Sequence, residues 1–321
     1  MSTVLVTGAS GFIGRALCLH LVADGWQVRG TVRRQDQVTL LPHGVVPEVT
    51  GDLTASPRWS AALQDVDAVV HLAVHHHVLG EPTAGDIELF RRVNVSGSRI
   101  LAEQAARAGV RRLVYLSSAK VHGEGRETSY LETDLPRPET PYGCSKWEAE
   151  QQLWQVAGEA RMELCILRPP LVYGAEVQAN FLRLLQWLDS GRPLPLGRVK
   201  NRRSMLYIGN LVAVVAECLR QPTADGETFL VGDGDDCSTP ELLVRVADLM
   251  GRTARLTPIP AGILQCIGRL SGRGKMVKRL TGSFTIDTGK LRRTLDWDPP
   301  YSLQEGLEET VRWFLQSKHR Q

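Results

Sequence analysis

An α/β fold built on a parallel, doubly wound sheet is what the sequence predicts, and three features predict it. Strand-like runs at 3–7, 27–33, 67–72, 112–117 and 163–168 alternate with helical patterns at 12–24, 86–108 and 142–157, the order that lays strands parallel with helices on both faces. The first strand enters the first helix through three glycines, Gly8, Gly11 and Gly14. Beyond Pro169 the alternation loosens. Gly and Pro cluster at 191–197, a helical segment spans 208–220, and a late strand, Thr228 to Val231, returns to the sheet.

Taken in order, the elements carry their own chemistry. Val4-Leu-Val-Thr-Gly-Ala-Ser-Gly-Phe-Ile-Gly14 runs from an apolar strand into a helix starting near Phe12. Glycines allow a tight turn and close backbone approach, while the free amides and dipole of the helix N-terminus favour a pyrophosphate. The spacing is GxxGxxG, not the commoner GxGxxG. His75-His76-His77 stand together in a loop; three adjacent side chains diverge from any regular backbone, so no metal is expected there. On the helix at 142–157, Tyr142 and Lys146 are four apart and share one face. An ammonium beside a phenol favours the phenolate, which suits Tyr142 for passing a proton to or from a carbonyl or alcohol oxygen.

Composition bounds the rest. The chain has 321 residues, 43% hydrophobic, with a net charge of +3, which allows one large or two modest domains around a sizeable core. No apolar run reaches membrane-spanning length, and no basic region followed by a cleavable apolar stretch precedes the first strand, so a cytoplasmic chain is expected. Six cysteines lie scattered without CxxC spacing, as reduced thiols and not as a disulfide or zinc framework; Cys144 is read as a bystander. The charge is too small to imply nucleic acid. Ile263 to Leu280 mixes apolar residues with five cations; glycines at 268, 272 and 274 interrupt it, so it reads as an element of a substrate domain before a bilayer-surface helix.

With Gly8, Gly11, Gly14, Tyr142 and Lys146 in place, the sequence resembles the extended short-chain dehydrogenase/reductases, the nucleotide-sugar branch in particular. Further signatures fall in that family's order: Gly51-Asp-Leu53, His71-Leu-Ala73, Asn94-Val-Ser-Gly97, Leu116-Ser-Ser-Ala119, Val121-His-Gly123, Leu167-Arg-Pro-Pro-Leu-Val-Tyr-Gly174 and Asp296-Trp-Asp-Pro299. The resemblance implies a Rossmann-like NAD(P)-binding domain at 1–169 plus about 208–232. It implies a smaller, discontinuous nucleotide-sugar-binding domain at 170–207 and 233–321, with the cleft between them. It also implies a homodimer built from the helices at 86–108 and 142–157.

Site residues follow from the same resemblance. Ser118 aligns with the catalytic hydroxyl, with Ser117 as understudy, beside Tyr142 and Lys146. Cofactor contacts are implied for Gly8, Gly11, Phe12, Ile13, Gly14, Asp52, Leu53, Leu72, Ala73, Asn94 and Pro169, and for Tyr142 and Lys146 themselves. At the end of strand two, Val32 stands where NAD-dependent epimerases carry Asp, and Arg33 follows, with Arg34 in support. Arg suits the 2′-phosphate of NADP and an acid suits the ribose of NAD, so NADP(H) is the preferred cofactor and NAD(H) the second. Ser118, His76, His77, Lys120, Asn180 and Arg203 are the expected substrate contacts, the last two on a UDP-sugar diphosphate. Leu171 replaces an Asn that many relatives have.

Ala119-Lys120 replaces the Asp-Glu pair with which 4,6-dehydratases eliminate water, which argues against dehydration. The wording Arg168-Pro-Pro-Leu-Val-Tyr-Gly174, Leu194-Pro-Leu-Gly197 and Asn201-Arg-Arg-Ser204 is similar to a bacterial surface-polysaccharide subgroup. That similarity implies reduction of the C4 ketone of a UDP-4-keto-6-deoxy-N-acetylhexosamine, with a UDP-sugar 4-epimerase that keeps its NAD as the alternative.

Overall fold

The computed structural model describes residues 2–53, 59–75, 83–272 and 274–318. Six strands come first along the chain: β1 (Thr3–Thr7), β2 (Gln27–Val32), β3 (Val45–Val49), β4 (Ala68–His71), β5 (Arg112–Leu116) and β6 (Glu163–Arg168). Two short ones follow, β7 (Leu171–Tyr173) and β8 (Met205–Tyr207), and then β9 (Glu227–Leu230). Among the described residues, seven strands form one parallel sheet in the order β3-β2-β1-β4-β5-β6-β9, and β7 pairs with β8 apart from it. The doubly wound α/β class expected from the sequence is the class observed.

Strand residues alternate between two cores, as a period of two requires. Val4, Val6, Val70 and Val114 face a layer containing α1 (Phe12–Ala23). Leu5, Val69, Leu113 and Tyr115 face a layer with α2 (Trp59–Ala62). The chain then enters α3 (Ala84–Phe90), a π-helical turn at Arg91–Ser96 and α4 (Gly97–Arg107) without a break. After α5 (Pro141–Ala160) and α6 (Ala179–Asp189), α7 (Ile208–Arg220) closes the first layer over the sheet. The C-terminal part contributes α8 (Thr239–Leu249), α9 (Ala261–Leu270), α10 (Gly274–Thr281), α11 (Gly289–Leu295) and α12 (Leu303–Lys318).

β3 was not expected from the sequence. Pro47 lies inside it, and a proline that cannot donate to a ladder is tolerated only at an edge, which is where β3 stands. Strand order reverses between β1 and β4, so the crevice beyond their C-terminal ends is the place where open α/β sheets bind ligands.

Candidate active site

The loop from β1 into α1 occupies that crevice. Gly8 has φ +69°, a region open mainly to glycine, and Gly11 N donates to its carbonyl at 3.0 Å. A Cβ on Gly14 would come 2.1 Å from the Gly8 carbonyl oxygen, so the helix can approach the turn this closely only because position 14 is glycine. Gly11 caps α1 without a side chain, which leaves the first-turn amides of Phe12, Ile13 and Gly14 available to an anion. The residues therefore fit a dinucleotide pyrophosphate.

A buried latch fixes the opposite wall. Ser98 Oγ donates to the Asn94 carbonyl (2.6 Å) and so accepts from His71 Nε2 (2.8 Å); His71 Nδ1 then accepts from Thr7 Oγ1 (2.7 Å). Thr7 Oγ1 in turn accepts from the amides of Leu72 and Ala73, each at 3.1 Å. Burial, then the nearby Lys146, pushes His71 down to about 3, so it stays neutral and the tautomer is set by its neighbours. Asn94 completes the wall from the π-helical turn. Its Nδ2 donates to Ser145 Oγ (3.0 Å) and the His75 carbonyl (3.2 Å), while its Oδ1 accepts from the His75 amide (2.7 Å). The extra residue of a π turn redirects the helix at this point, a device common at functional sites.

Tyr142 and Lys146 stand at the start of α5. Thr140 Oγ1 accepts from Gly143 N at 3.1 Å and Pro141 occupies the first helical position, so the helix begins just before Tyr142. A Cβ on Gly143 would lie 3.0 Å from the Lys120 carbonyl; this close approach sets Tyr142 beside the turn bearing Ser118. Phe90 meets the Tyr142 ring edge-on, with centroids 6.4 Å apart, and packs against His75 on its other side.

Lys146, one turn from Tyr142 on the helix, is held by a second phenol. Lys146 Nζ donates to Tyr115 Oη at 3.0 Å and lies 4.2 Å from the centre of its ring. Burial lowers Lys146 to about 7, against the opposing pull of Glu150, and burial raises Tyr142 to about 12. Ser117 donates to Glu150, whereas Ser118 Oγ accepts from the Lys120 amide at 3.3 Å. Ser118, not its neighbour, is thus the hydroxyl with donating capacity left for a substrate oxygen.

A cationic cluster adjoins Ser118. Burial lowers Lys120, and Arg279 and Arg203 lower it further while Glu124 opposes; burial also lowers Arg203, with Arg279 adding to it and Glu124 again opposing. Lys120 and Arg203, with Arg279 beside them, thus gather positive charge of a kind that can hold an anion. Arg203 Nη1 is oriented by the carbonyls of Arg279 (2.9 Å) and Gly282 (3.0 Å). Asn180 sits exposed in the first turn of α6, whose N-cap Gln178 makes no side-chain cap.

The remaining sequence-derived positions are placed as follows. Asp52 and Leu53 follow β3, with Leu53 against Gly97, and the Pro169 carbonyl accepts from Ala119 N at 2.9 Å. Arg33 and Arg34 are exposed beyond β2; Arg34 is engaged by Asp36 through two hydrogen bonds, 3.0 and 2.9 Å, while the Arg33 side chain has no partner among the described residues. Leu171 is exposed. His76 and His77 lie outside the described residues. Among the described residues no His, Cys, Asp or Glu cluster is arranged for a metal, and no helix is long and apolar enough to cross a membrane. Sequence reasoning gave no role to Tyr115, Ser98, Glu150 or Arg279, and took His71 only as part of the signature His71-Leu-Ala73. Glu150 left a further local signal, four residues after Lys146 on the same helix.

A glycine cradle at a sheet switch point, together with buried Lys146 and Ser118 and half-buried Tyr142, fits a nucleotide-dependent enzyme of the doubly wound α/β class. The chain belongs to the NAD dependent epimerase/dehydratase family, whose model matches residues 4–232. It is 38% identical over 322 residues to the UDP-glucose 4-epimerase of Vibrio cholerae, covering 99% of this chain and 97% of that one. It is 28% identical over 335 residues to the N-acetyl-alpha-D-glucosaminyl-diphospho-ditrans,octacis-undecaprenol 4-epimerase of Escherichia coli O157:H7, covering 98% and 96%. Its fold is similar to that of MoeE5 in complex with UDP-glucuronic acid and NAD, with a TM-score of 0.78 and 27% identity over 98% of this chain and all of that one.

Proposed function

We propose that the protein is an NAD-dependent 4-epimerase of a UDP-sugar, the alternative of the sequence reading, in place of the 4-ketoreductase favoured there. The full-length 38% identity to a UDP-glucose 4-epimerase carries this reading. Supporting it, a related structure binds NAD with a UDP-sugar. The bound nicotinamide would supply hydride acceptance and return at the sugar C4. The chain would hold the pyrophosphate on the amides of residues 12–14, the nucleotide diphosphate on Arg203, Arg279 and Lys120, and the C4 oxygen between Ser118 and Tyr142. Tyr142 would take and return the proton of that oxygen. Dehydration is disfavoured, since Ala119 and Lys120 follow the catalytic Ser in place of a carboxyl pair. The proposal includes nucleotide-sugar binding by residues 170–207 and 233–321, a cytoplasmic setting, and a homodimer through the helices at 86–108 and 142–157.

The deciding experiment measures cofactor content and turnover together. The purified protein is expected to carry NAD and to interconvert UDP-glucose with UDP-galactose, or their N-acetyl forms, with no nicotinamide added. Cofactor-free protein that oxidises stoichiometric NADPH on a UDP-4-keto-6-deoxy-N-acetylhexosamine, without epimerising, would restore the ketoreductase. Arg33 provides a separate check on cofactor choice. Arg33→Ala is expected to weaken residual NADPH binding about ten- to a hundredfold, the value of one charge-assisted contact, while NADH binding hardly changes. Equal effects on both cofactors would show that Arg33 does not read the 2′-phosphate.

A further inference from the structure

We propose that the α9–α10 hairpin is a docking surface for an anionic lipid bilayer. The first observation is charge. From Gly251 to Thr285 the chain carries seven Lys and Arg and no Asp or Glu, while the whole protein is only +3, so everything outside this segment sums to −4. A basic excess confined to one segment is a directional feature, not a general property of the surface.

The second observation is where the apolar side chains point. Ile263, Ile267 and Leu270 follow i, i+4, i+7 spacing, so they share one face of α9, and they are 52%, 54% and 86% exposed. Met276 on α10 is 52% exposed. The inner stripe is different: Leu264 and Gly268 are buried, and a Cβ on Gly268 would come 2.7 Å from Val277 Cγ2. The glycines that interrupt the helix in sequence thus let it fold back on itself. The hairpin packs through Leu264, Gly268 and Val277 and leaves a large aliphatic stripe outside, with Arg269, Lys278 and Arg279 exposed on the same hairpin.

Aliphatic side chains among cations, with no acid near in sequence, match the interface of an anionic membrane, where the stripe enters the acyl boundary and the cations meet lipid phosphates. A nucleic acid would use the cations but leave the stripe in water. A second copy of this face would set two strongly basic surfaces against each other. Lys278 reaches Glu139 at 3.4 Å, and the Arg279 carbonyl orients Arg203, so the docked face adjoins the cationic cluster of the site. The inference does not depend on the epimerase reading.

Flotation with phosphatidylcholine vesicles, with and without phosphatidylglycerol, tests it. The whole protein is expected to float with the anionic vesicles at low salt and to be released as salt rises. Ile267→Ser with Leu270→Ser, and separately Arg269→Glu, should each reduce flotation about tenfold or more. Turnover of soluble UDP-sugars and the circular dichroism spectrum should stay unchanged in both variants. Flotation independent of phosphatidylglycerol, or none at all, would overturn the proposal. So would variants that shift sedimentation from dimer to monomer without changing flotation, which would assign the stripe to a contact between copies, and so would binding of single-stranded DNA in preference to vesicles.

Discussion

Tyr142→Phe is expected to lower turnover by about 10² to 10⁴ while binding of NAD and UDP-sugar stays near that of the parent protein, because only the proton-carrying oxygen is removed. The loss corresponds to roughly 3 to 5 kcal/mol of transition-state stabilisation. The structure sharpens why the effect should be large. Burial holds the Tyr142 phenol up at about 12 and Lys146 down at about 7, and Lys146 donates to Tyr115. Ser117 is committed to Glu150 and His71 is locked neutral in its latch, so neither offers a substitute acid. Lys146→Met should damage rate and cofactor binding together, which separates its role from that of the phenol. Steady-state kinetics alongside equilibrium binding provide the readout, and a Tyr142→Phe variant that keeps most of its turnover would remove Tyr142 from the proton path.

Local patterns carried much of this molecule. The glycine turn, the α5 register that sets Tyr142 and Lys146 one turn apart, and the return of a late strand at β9 are all short-range signals, governed by φ/ψ freedom, helical spacing and strand composition. What stayed hidden depends on distance along the chain. Pro47 disguised β3, because edge position is a property of the whole sheet and not of the five residues in the strand. The π turn that aims Asn94 at His75 and Ser145 has no composition of its own. Lys146 meets Tyr115 across 31 positions, and Arg203 meets the Arg279 carbonyl across 76. The sequence reading placed Arg203 at an anion but gave Arg279 only a place in a substrate-domain element, and only folding brought the two together with Lys120.

Arg168→Met is expected to cost about 3 to 5 kcal/mol of stability. Arg168 ends β6 and Glu150 lies on α5 one turn beyond Lys146; both are almost completely buried, with Arg168 Nη2 2.5 Å and Nε 3.1 Å from the two carboxylate oxygens. Two further contacts enclose the pair: Ser117 donates to Glu150, and Arg168 Nη1 lies 3.0 Å from His122 Nε2. Burial, then Arg168, pushes His122 down to about 4, so it meets the guanidinium as a neutral acceptor. Removing Arg168 leaves a carboxylate in the sheet-to-helix seam with the Ser117 hydroxyl as its one remaining side-chain hydrogen-bond partner among the described residues, and a buried charge without its counter-ion is the costly half of such a pair. The double change Glu150→Leu with Arg168→Met removes the orphaned charge and should recover most of the loss, since well-packed apolar pairs often match buried ion pairs in stability. Its catalytic consequence is the opposite. Glu150 holds Ser117, next to Ser118, the hydroxyl proposed to meet the sugar C4 oxygen, so the double variant should fold yet turn over more slowly, with kcat lowered more than KM is raised. Urea unfolding midpoints together with steady-state kinetics would read both halves. A single Arg168→Met variant within about 1 kcal/mol of the parent, on the scale of an exposed pair, would mean that water reaches this seam.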